Sequence, residues 1–134
     1  SFGSAYMYFV VPKVILFRPE HSRRVFVNKV DFISAPGVSS TNVYRPGGPK
    51  FLVTELCLMS FSSENQIFRL ESVHPGHTIE EVRDNTGFDF FVPEEVISTA
   101  EPEGKWLNIL RTEVGAQIGN TYPVFASRIF GGQA

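Results

Sequence analysis

The sequence is poor in cysteine and has no long uninterrupted apolar run. Its 134 residues include one cysteine, Cys57, so no intrachain disulfide can form, as is typical of proteins from reducing compartments. No stretch approaches the roughly 18 to 20 apolar residues of a membrane-spanning helix. The apolar run 6–11 also lacks the basic flank of a signal peptide. These absences predict a soluble, cytoplasmic protein.

Positive charge is not in excess either. The chain has 12 Lys and Arg residues against 14 Asp and Glu residues, which gives a formal net charge of −2. Most proteins that bind DNA or RNA depend on a surplus of basic residues, so a general nucleic-acid-binding function is excluded. What the sequence does contain is apolar: 43% of its residues are hydrophobic, and Phe alone occurs 13 times. This composition predicts one compact domain with a substantial core.

Short apolar segments separated by polar turns predict a sheet. Strands are predicted over residues 13–17, within 23–32, and over 51–61, 67–73 and 88–92. The run 51–61 hardly alternates, which is typical of a central, buried strand. A turn over 62–66 would join it to 67–73 as a hairpin. The segment 34–49 is rich in Ser, Gly and Pro and predicts a loop, and long ordered loops often carry function.

Two helices are predicted in the second half of the chain. Thr78 and Glu81 form a capping box at the start of the first helix, which we expect to end at Gly87 in a left-handed conformation. The second helix should cover 105–114 and bury one side, made of Trp106, Leu107, Leu110 and Val114.

The two ends of the chain show weaker patterns. Residues 1–12 have no clean period and are interpreted as a leader or as the remnant of a missing N-terminal part. The tail 115–134 is rich in glycine and is expected to be irregular. The predicted domain therefore covers residues 13–114.

The histidines invite a metal hypothesis, which the rest of the sequence does not support. His74 and His77 are spaced like a ligand pair, but no second cluster of Cys, His or paired carboxylates accompanies them. A tight turn at Pro75-Gly76, with His77 exposed near the helix start, explains the same residues. No metal site is predicted.

Three other patterns are candidates for ligand contacts. Gly47-Gly48-Pro49 would let an anionic group or a thioester oxygen approach the backbone, or would serve only as a turn before a strand. Arg23, Arg24, Arg45 and Lys50 suit the phosphates of a nucleotide-like cofactor such as coenzyme A, but also suit ordinary solubility. Glu71 and His74 lie near the end of a strand, where α/β proteins often place residues that contact ligands.

Two segments together resemble a known family. They are Gly47-Gly48-Pro49-x-x-x-Val53-Thr54 and the stretch from Leu70-Glu71-Ser72-Val73-His74-Pro75-Gly76 to Asn85-Thr86-Gly87-Phe88. Both resemble the B (beta) subunit of class I coenzyme A transferases, in particular the glutaconate type and its relatives that act on ring-opened steroid CoA thioesters. The resemblance runs from about residue 13 to 114 and is to the C-terminal portion of that subunit.

The resemblance implies a fold and a set of partners. The family has an α/β fold in which a mostly parallel sheet is flanked by helices. Its A and B subunits pair as hetero-oligomers, so the expected partner is an A (alpha) subunit, with a homo-oligomer as the alternative. The substrate would be a coenzyme A thioester, and no bound cofactor is expected.

The resemblance also bears on site residues. In the transferases a glutamate of the beta subunit attacks the acyl-CoA, and it lies on the N-terminal side of the Gly-Gly-Pro motif. No residue here matches it; Glu64, in Ser63-Glu64-Asn65, lies on the other side and is expected in a solvated turn. The catalytic residue is therefore unknown. The residues carried over to the CoA-thioester site are Gly47, Gly48, Pro49, Glu71 and His74.

Three functions remain open from the sequence. The leading hypothesis is a portion of a CoA-transferase beta subunit, which moves coenzyme A between carboxylic acids. The first alternative is a stand-alone, non-catalytic domain that keeps the fold for binding or assembly. The second is one component of a CoA-thioester hydrolase, because the resemblance includes relatives that lack the nucleophilic glutamate.

Overall fold

The computed structural model describes residues 4–40 and 42–131, and the chain divides into two compact units after Thr99. Within the described residues, the first unit holds a five-stranded sheet in the order β1-β2-β3-β4-β5. The strands are β1 (Val14–Arg18), β2 (Pro49–Thr54), β3 (Cys57–Ser62), β4 (Ile67–Val73) and β5 (Ile97–Ser98), and the helices of this unit are α1 (Ser4–Val10) and α2 (Ile79–Asn85). The predicted α/β class is confirmed.

Four of the five strands run in the same direction. β1 pairs with β2 in parallel, as β4 does with β5. β3 is antiparallel to both of its neighbours, so β4 points the same way as β1 and β2. The sheet is therefore mixed, with two parallel and two antiparallel pairings, and β3 is the one reversed strand among the five. The ends of β1, β2, β4 and β5 consequently share one edge, which we call the carboxyl edge.

The core lies on one face of the sheet. Leu52, Met59 and Leu70 face one another across β2, β3 and β4, and all three are buried. Val82 of α2 belongs to the same cluster and is fully buried. The strand predicted over 13–17 is present as β1. Its Leu16 packs on this core, whereas Phe17, on the other face of the strand, is 72% exposed.

The apolar run 51–61 is a hairpin and not the single central strand that was predicted. β2 ends at Thr54 and β3 begins at Cys57, so the chain reverses at Glu55 and Leu56. The turn contains no glycine or proline. The Thr54 hydroxyl instead accepts the N–H groups of Leu56 and Cys57, which closes the turn with a side chain. The next two predictions hold: residues 63–66 form a turn, and β4 is the hairpin partner of β3.

Two further predicted strands are wrong. The segment 23–32 begins with a tight turn, in which the Ser22 carbonyl accepts the N–H groups of Val25 and Phe26, and it contains no strand. In the segment 88–92 only Phe91 bridges to β4, through hydrogen bonds with Phe68 and Leu70. The strand that pairs with β4 on this side of the sheet is β5.

Helix α2 begins as predicted and ends differently. The Thr78 hydroxyl accepts the N–H of Glu81 at 3.1 Å, which confirms the N-cap. The predicted capping box is not completed, because the Glu81 carboxylate binds Nδ1 of His77 at 2.9 Å and not the N–H of Thr78. At the other end the C-cap is Thr86, and Gly87 is not left-handed. Gly87 is needed for space instead: a Cβ there would lie 2.3 Å from the carbonyl oxygen of Phe26.

The second unit is helical throughout most of its described part. Helix α3 (Gly104–Ile109) continues through a π-helical turn, Leu110–Val114, into α4 (Gly115–Thr121), and α5 (Pro123–Phe130) follows. The helix predicted over 105–114 is therefore present, but its predicted buried side is wrong, since Trp106 and Leu110 are exposed.

The prediction of an irregular tail over 115–134 is also wrong where the structure describes it. Residues 4–10 form α1, and 115–130 form α4 and α5 almost without interruption. Two glycines of the tail face α5: a Cβ on Gly115 would lie 3.5 Å from the Phe130 ring, and one on Gly119 would lie 3.8 Å from the Ala126 methyl group, which are ordinary contact distances. Residues 1–3 and 132–134 of the two predicted end segments lie outside the described residues.

Candidate functional site

Polar side chains collect at the carboxyl edge of the sheet. His21 follows β1, Thr54 ends β2, His74 follows β4 and Thr99 follows β5. In sheets of parallel strands, ligands bind at this edge. These four residues are therefore the first candidates for ligand contact.

Thr54 is the centre of this carboxyl-edge cluster. Its hydroxyl oxygen lies 2.9 Å from Nδ1 of His21 and also accepts the two amide hydrogens of the β2–β3 turn. Its backbone carbonyl lies 3.0 Å from Nε2 of His74. One residue thus holds both imidazole rings in place.

His21 is a neutral ring by its hydrogen bonds. The Thr86 hydroxyl donates to the carbonyl of Val82 at 2.7 Å, so it must accept from Nε2 of His21, which lies 2.9 Å away. The Thr54 oxygen already accepts two amide hydrogens, so Nδ1 has no proton and accepts the Thr54 hydroxyl at 2.9 Å, closer than the Cys57 carbonyl at 3.3 Å. This arrangement uses every polar atom of the ring, and the residue is only 4% exposed. His21 serves structure and not proton transfer.

Burial acts on the protonation of both His21 and its neighbour Cys57. Loss of solvent lowers the pKa of His21 and outweighs the carboxylates of Glu55 and Glu81, which favour the charged ring. Burial also raises the pKa of the Cys57 thiol to about 11, against a smaller opposing effect of its hydrogen bond with Thr54. The Cys57 thiol is therefore not prepared to act as a nucleophile at neutral pH, and both nitrogens of the neutral His21 ring are already occupied by buried hydrogen bonds.

His74 is the ring at this edge that is partly open to solvent. Its Nε2 faces a carbonyl oxygen and must donate. Its Nδ1 lies 2.8 Å from the hydroxyl of Thr99, which in turn lies 2.6 Å from the hydroxyl of Ser72. In the neutral ring Nδ1 accepts from Thr99, and Ser72 donates to Thr99. This chain of hydrogen bonds fixes the orientation of the one histidine in the cluster that a ligand can reach.

Glu71 stands apart from His74. Leu58 pairs with Ser72 and Met59 with Leu70, so Glu71 is the extra residue of a β-bulge in β4. Its carboxylate accepts hydrogen bonds from Ser60 at 2.5 Å and from Arg69 at 2.7 Å.

These contacts favour the ionised form of the Glu71 carboxyl group. The hydrogen bond from Ser60, and then the hydrogen bond and charge of Arg69, hold the pKa of Glu71 below its usual range. Among the described residues no hydrogen bond joins Glu71 to His74. The two residues singled out together in the sequence thus have separate surroundings.

The Gly-rich loop lies at the opposite edge of the sheet. The N–H of Gly47 donates to the carbonyl of Phe9 at 2.9 Å, and a Cβ on Gly47 would lie 2.5 Å from the carbonyl oxygen of Val11. Gly47 therefore makes room for the chain at the end of α1. Gly48 has a φ of +143°, which favours glycine, and buried Pro49 opens β2.

The predicted site residues therefore do not form one cluster. Pro49 and Thr54 are the two ends of β2, and at about 3.3 Å per residue they are roughly 17 Å apart. The loop is at one end of this strand, and His74 is at the other. A compact ligand can contact only one of these groups.

Two cavities adjoin the Gly-rich loop. The first has a volume of about 410 Å³ and is mainly apolar, and the second has a volume of about 250 Å³ and is mainly polar. Gly37 and Pro49 line both. The apolar cavity is further lined by residues that include Tyr8, Leu16, Phe61 and Phe68, and the polar cavity by residues that include Ser39, Ser40, Arg45, Gly48, Lys50 and Ser63.

The four basic residues considered for phosphate binding divide into two pairs. Arg24 forms an ion pair with Glu20, and Nε of Arg23 donates to the carbonyl of Asp84 at 2.6 Å. Arg45 and Lys50, by contrast, both line the polar cavity.

Sequence reasoning missed His21, Thr86 and Thr99. Their partners are 33, 65 and 25 residues away in the chain, and although Thr86 lies within the family-like stretch, no local pattern indicates these hydrogen bonds. Only the meeting of strand ends at one edge reveals the cluster.

Two other kinds of site find no support in the described part of the chain. In residues 4–40 and 42–131, no three or more His, Cys, Asp or Glu side chains are grouped so that they could hold a metal ion. Within the same residues no helix has the length and apolar character needed to cross a membrane.

Known proteins resemble this chain in sequence. It is 36% identical to the beta subunit of the 3-oxoadipate CoA-transferase of Pseudomonas knackmussii over 105 residues, which are 74% of this chain and 40% of the relative. The chain is a homologue of coenzyme A transferase beta subunits. The corresponding subunit of the glutaconate CoA-transferase of Acidaminococcus fermentans is 29% identical over 102 residues, covering 71% of this chain and 38% of that protein. A scan against models of protein families finds no match.

A hydrolase belongs to the same group of relatives. The cholesterol ring-cleaving hydrolase IpdB subunit of Rhodococcus jostii is 31% identical over 96 residues, covering 69% of this chain and 38% of that relative. The crystal structure of IpdAB from the same organism superposes with a TM-score of 0.71 and 27% identity, over 82% of this chain and 46% of the matched chain. The CoA-transferase fold is thereby confirmed. The chain spans about 40% of the length of the relatives it matches.

Proposed function

We propose that this chain is part of a coenzyme A transferase beta subunit, that it binds a coenzyme A thioester, and that it works with an alpha subunit in the cytoplasm. The observation that carries the proposal is the 36% identity to a CoA-transferase beta subunit across 74% of the chain. The solved relative IpdAB, whose name joins two subunits, supports the pairing with an alpha subunit. The thioester is a substrate in this proposal, and no resident cofactor is involved.

The chain would contribute binding and orientation at two places. His74, held by Thr99 and by the carbonyl of Thr54, would present a partly exposed ring with fixed hydrogen bonds to the thioester at the carboxyl edge. The Gly-rich loop and its cavities would contact another part of the substrate at the other end of β2. Glu71, already bound to Ser60 and Arg69, would shape the sheet between them.

A catalytic residue is not assigned in this chain. Glu64 lies in the exposed turn between β3 and β4, away from the carboxyl-edge cluster. Cys57 is fully buried with a raised pKa. The transfer reaction breaks the thioester bond of one acyl-CoA and forms a thioester bond between coenzyme A and another carboxylic acid. The group that attacks the first thioester would come from elsewhere in the assembly.

A second candidate function is the hydrolysis of a CoA thioester or of a ring-derived CoA compound. It is favoured by the 31% identity to the IpdB subunit and by the likeness to the IpdAB structure. Hydrolysis and transfer share the acyl-CoA and differ in the acceptor, which is water in the first case and a carboxylate in the second. An assay of acyl-CoA consumption with and without a carboxylic acid acceptor therefore separates hydrolysis from transfer.

Binding is tested first, by calorimetric titration of this chain with acetyl-CoA. We expect saturable binding, reduced roughly tenfold in His74→Gln, because the variant removes the ring face that would contact the ligand and the hydrogen bonds to Thr54 and Thr99 that orient it. His77→Gln is the matched control, since His77 is exposed and binds Glu81 instead. Equal binding by both variants would remove His74 from the site, and no binding by the wild-type chain would contradict the thioester proposal.

Activity is tested with a candidate alpha subunit added. Consumption of the acyl-CoA only when glutaconate or 3-oxoadipate is present would support transfer, and consumption without an acceptor would support the hydrolase. If neither occurs, and light scattering and thermal melts reveal a stable monomer or homodimer that ignores the alpha subunit, the non-catalytic alternative is the correct one.

A further inference from the structure

The polar cavity beside the Gly-rich loop has an unusual lining. Among the described residues, it is lined by two basic side chains and three serine hydroxyls and by no carboxylate. The chain as a whole has more acidic than basic residues, so its composition does not explain why basic residues line this cavity without acidic ones. A cavity lined in this way favours an anion.

Ser39 supplies an unpartnered donor in this cavity. Its hydroxyl oxygen is buried and has no hydrogen-bond partner among the described residues. A buried hydroxyl without a partner is destabilising by roughly 1 to 3 kcal/mol, and such groups are rare in folded proteins. Because Ser39 lines the cavity, a change of its side-chain rotamer would bring this hydroxyl to a ligand oxygen there.

Lys50 lines the cavity and lies at an irregularity in the sheet. Val14 pairs with Pro49 and Ile15 with Phe51, so Lys50 is the extra residue between them. It is half-buried, and no ion pair to it is found in the described part of the chain. A half-buried lysine without an ion pair can bind a negative group that enters the cavity.

Arg45, an exposed residue, supplies a second positive charge beside the cavity. Its guanidinium carbon lies 4.3 Å from the centre of the Phe9 ring, a cation–π contact that holds the side chain. A guanidinium stacked in this way still presents its N–H groups at its rim. Gly48, with a φ of +143°, keeps its part of the cavity wall free of a side chain.

We infer that this cavity binds an oxyanion, a phosphate or a carboxylate group, through Lys50, Arg45 and the hydroxyl of Ser39. The adjoining apolar cavity, which shares Gly37 and Pro49 with it, would receive an apolar segment next to that group. Anion binding by this cavity would deepen the proposed function, and it depends on that function only for which molecule carries the oxyanion. A CoA thioester offers phosphates on its coenzyme part, and a dicarboxylic acyl group offers a carboxylate.

The test is a titration of the ¹⁵N-labelled chain followed by amide chemical shifts, which detects weak binding. Three probes are compared at constant ionic strength: pyrophosphate, glutarate and sodium chloride. We expect saturable shifts at Ser39, Gly48 and Lys50 with pyrophosphate or glutarate and none with chloride. Tighter binding of pyrophosphate would assign the cavity to the coenzyme, and tighter binding of glutarate to the acyl group.

Three variants and a control test the assigned residues. Lys50→Gln and Arg45→Gln should each weaken binding roughly tenfold, because each removes a charge-assisted hydrogen bond. Lys29→Gln removes an exposed lysine outside the cavity and should change nothing. Ser39→Ala should weaken binding severalfold while leaving the melting temperature of the free chain unchanged or higher, since it removes an unpaired hydroxyl.

The inference is overturned if neither anion binds, if binding is the same in all variants, or if Ser39→Ala lowers the melting temperature without affecting binding. These results are distinct from failure of the proposed function. A chain that binds acetyl-CoA with His74 dependence but ignores both anions would contradict only the oxyanion cavity. A chain that binds glutarate here but no acetyl-CoA would contradict only the thioester proposal.

Discussion

The hydroxyl of Thr54 lies 2.9 Å from Nδ1 of His21, although 33 residues separate them in the sequence. The contact joins the segment after β1 to the end of β2. Because the Thr54 carbonyl also faces His74 at 3.0 Å, the same residue links the buried histidine to the partly exposed one. The candidate site at the carboxyl edge is therefore built on one threonine.

Removal of the Thr54 hydroxyl should destabilise the fold. Thr54→Val keeps the shape of the side chain but leaves Nδ1 of His21 and the amides of Leu56 and Cys57 without a partner. We expect the free energy of unfolding, measured with urea, to fall by about 2 to 4 kcal/mol. Thr54→Ser keeps the hydroxyl and should lose only about 1 kcal/mol. Equal losses in the two variants would mean that the hydroxyl contributes nothing.

Stability should depend on pH through His21. Its pKa in the folded chain is lowered from 6.5, so below about pH 6.5 the unfolded chain binds a proton that the folded chain does not. The free energy of unfolding should therefore be highest above pH 6.5 and decline as the pH falls toward the lowered value. Urea titrations between pH 8 and 5.5 measure the slope.

The control for this pH dependence is a second histidine. His21→Gln should flatten the decline between pH 7 and 5.5, whereas His77→Gln, at an exposed residue, should keep the His21 contribution. A wild-type slope in His21→Gln would assign the pH dependence to other groups.

Gly87 should not tolerate a side chain. A Cβ would lie 2.3 Å from the carbonyl oxygen of Phe26, whose position is fixed by the hydrogen bond from the N–H of Gly87. We expect Gly87→Ala to reduce the free energy of unfolding by about 2 to 3 kcal/mol. Gly104→Ala has open space around it and should change stability by less than about 1 kcal/mol. The prediction fails if thermal melts rank the two variants equally.

Cys57 should be unreactive in the folded chain. Its side chain is fully buried and its thiol has a pKa of about 11, so almost no thiolate is present at neutral pH. A colorimetric thiol reagent should label the native chain only at the rate of unfolding, and should label the urea-unfolded chain completely. Rapid labelling in native buffer would show that the β2–β3 hairpin opens readily.

Local chemistry was sufficient for several elements. Thr78 at the start of α2 and the polar residues 63–66 between two apolar segments were identified correctly, because a cap and a turn depend on side chains a few residues apart. The likeness of the Gly-Gly-Pro and His-Pro-Gly segments to CoA-transferase beta subunits likewise lies in the sequence, and the similarity to known relatives confirms it.

Other elements depended on contacts that no local pattern reveals. The hairpin within 51–61 was missed because the turn is closed by the Thr54 hydroxyl and not by glycine or proline. The helices over 115–130 were missed because glycine was interpreted as a sign of irregular chain. Gly115 and Gly119 in fact lie where α5 packs closely on α4.

The sequence by itself determined the family resemblance, the α/β class and the ends of short elements, since these follow from motifs and from neighbours within one turn of chain. Only the tertiary structure decided which polar residues share a site. It brought His21, Thr54, His74 and Thr99 together at the carboxyl edge, and it placed Gly48 at the far end of β2. The reason is that four strands run in one direction, so residues far apart in sequence meet where those strands end.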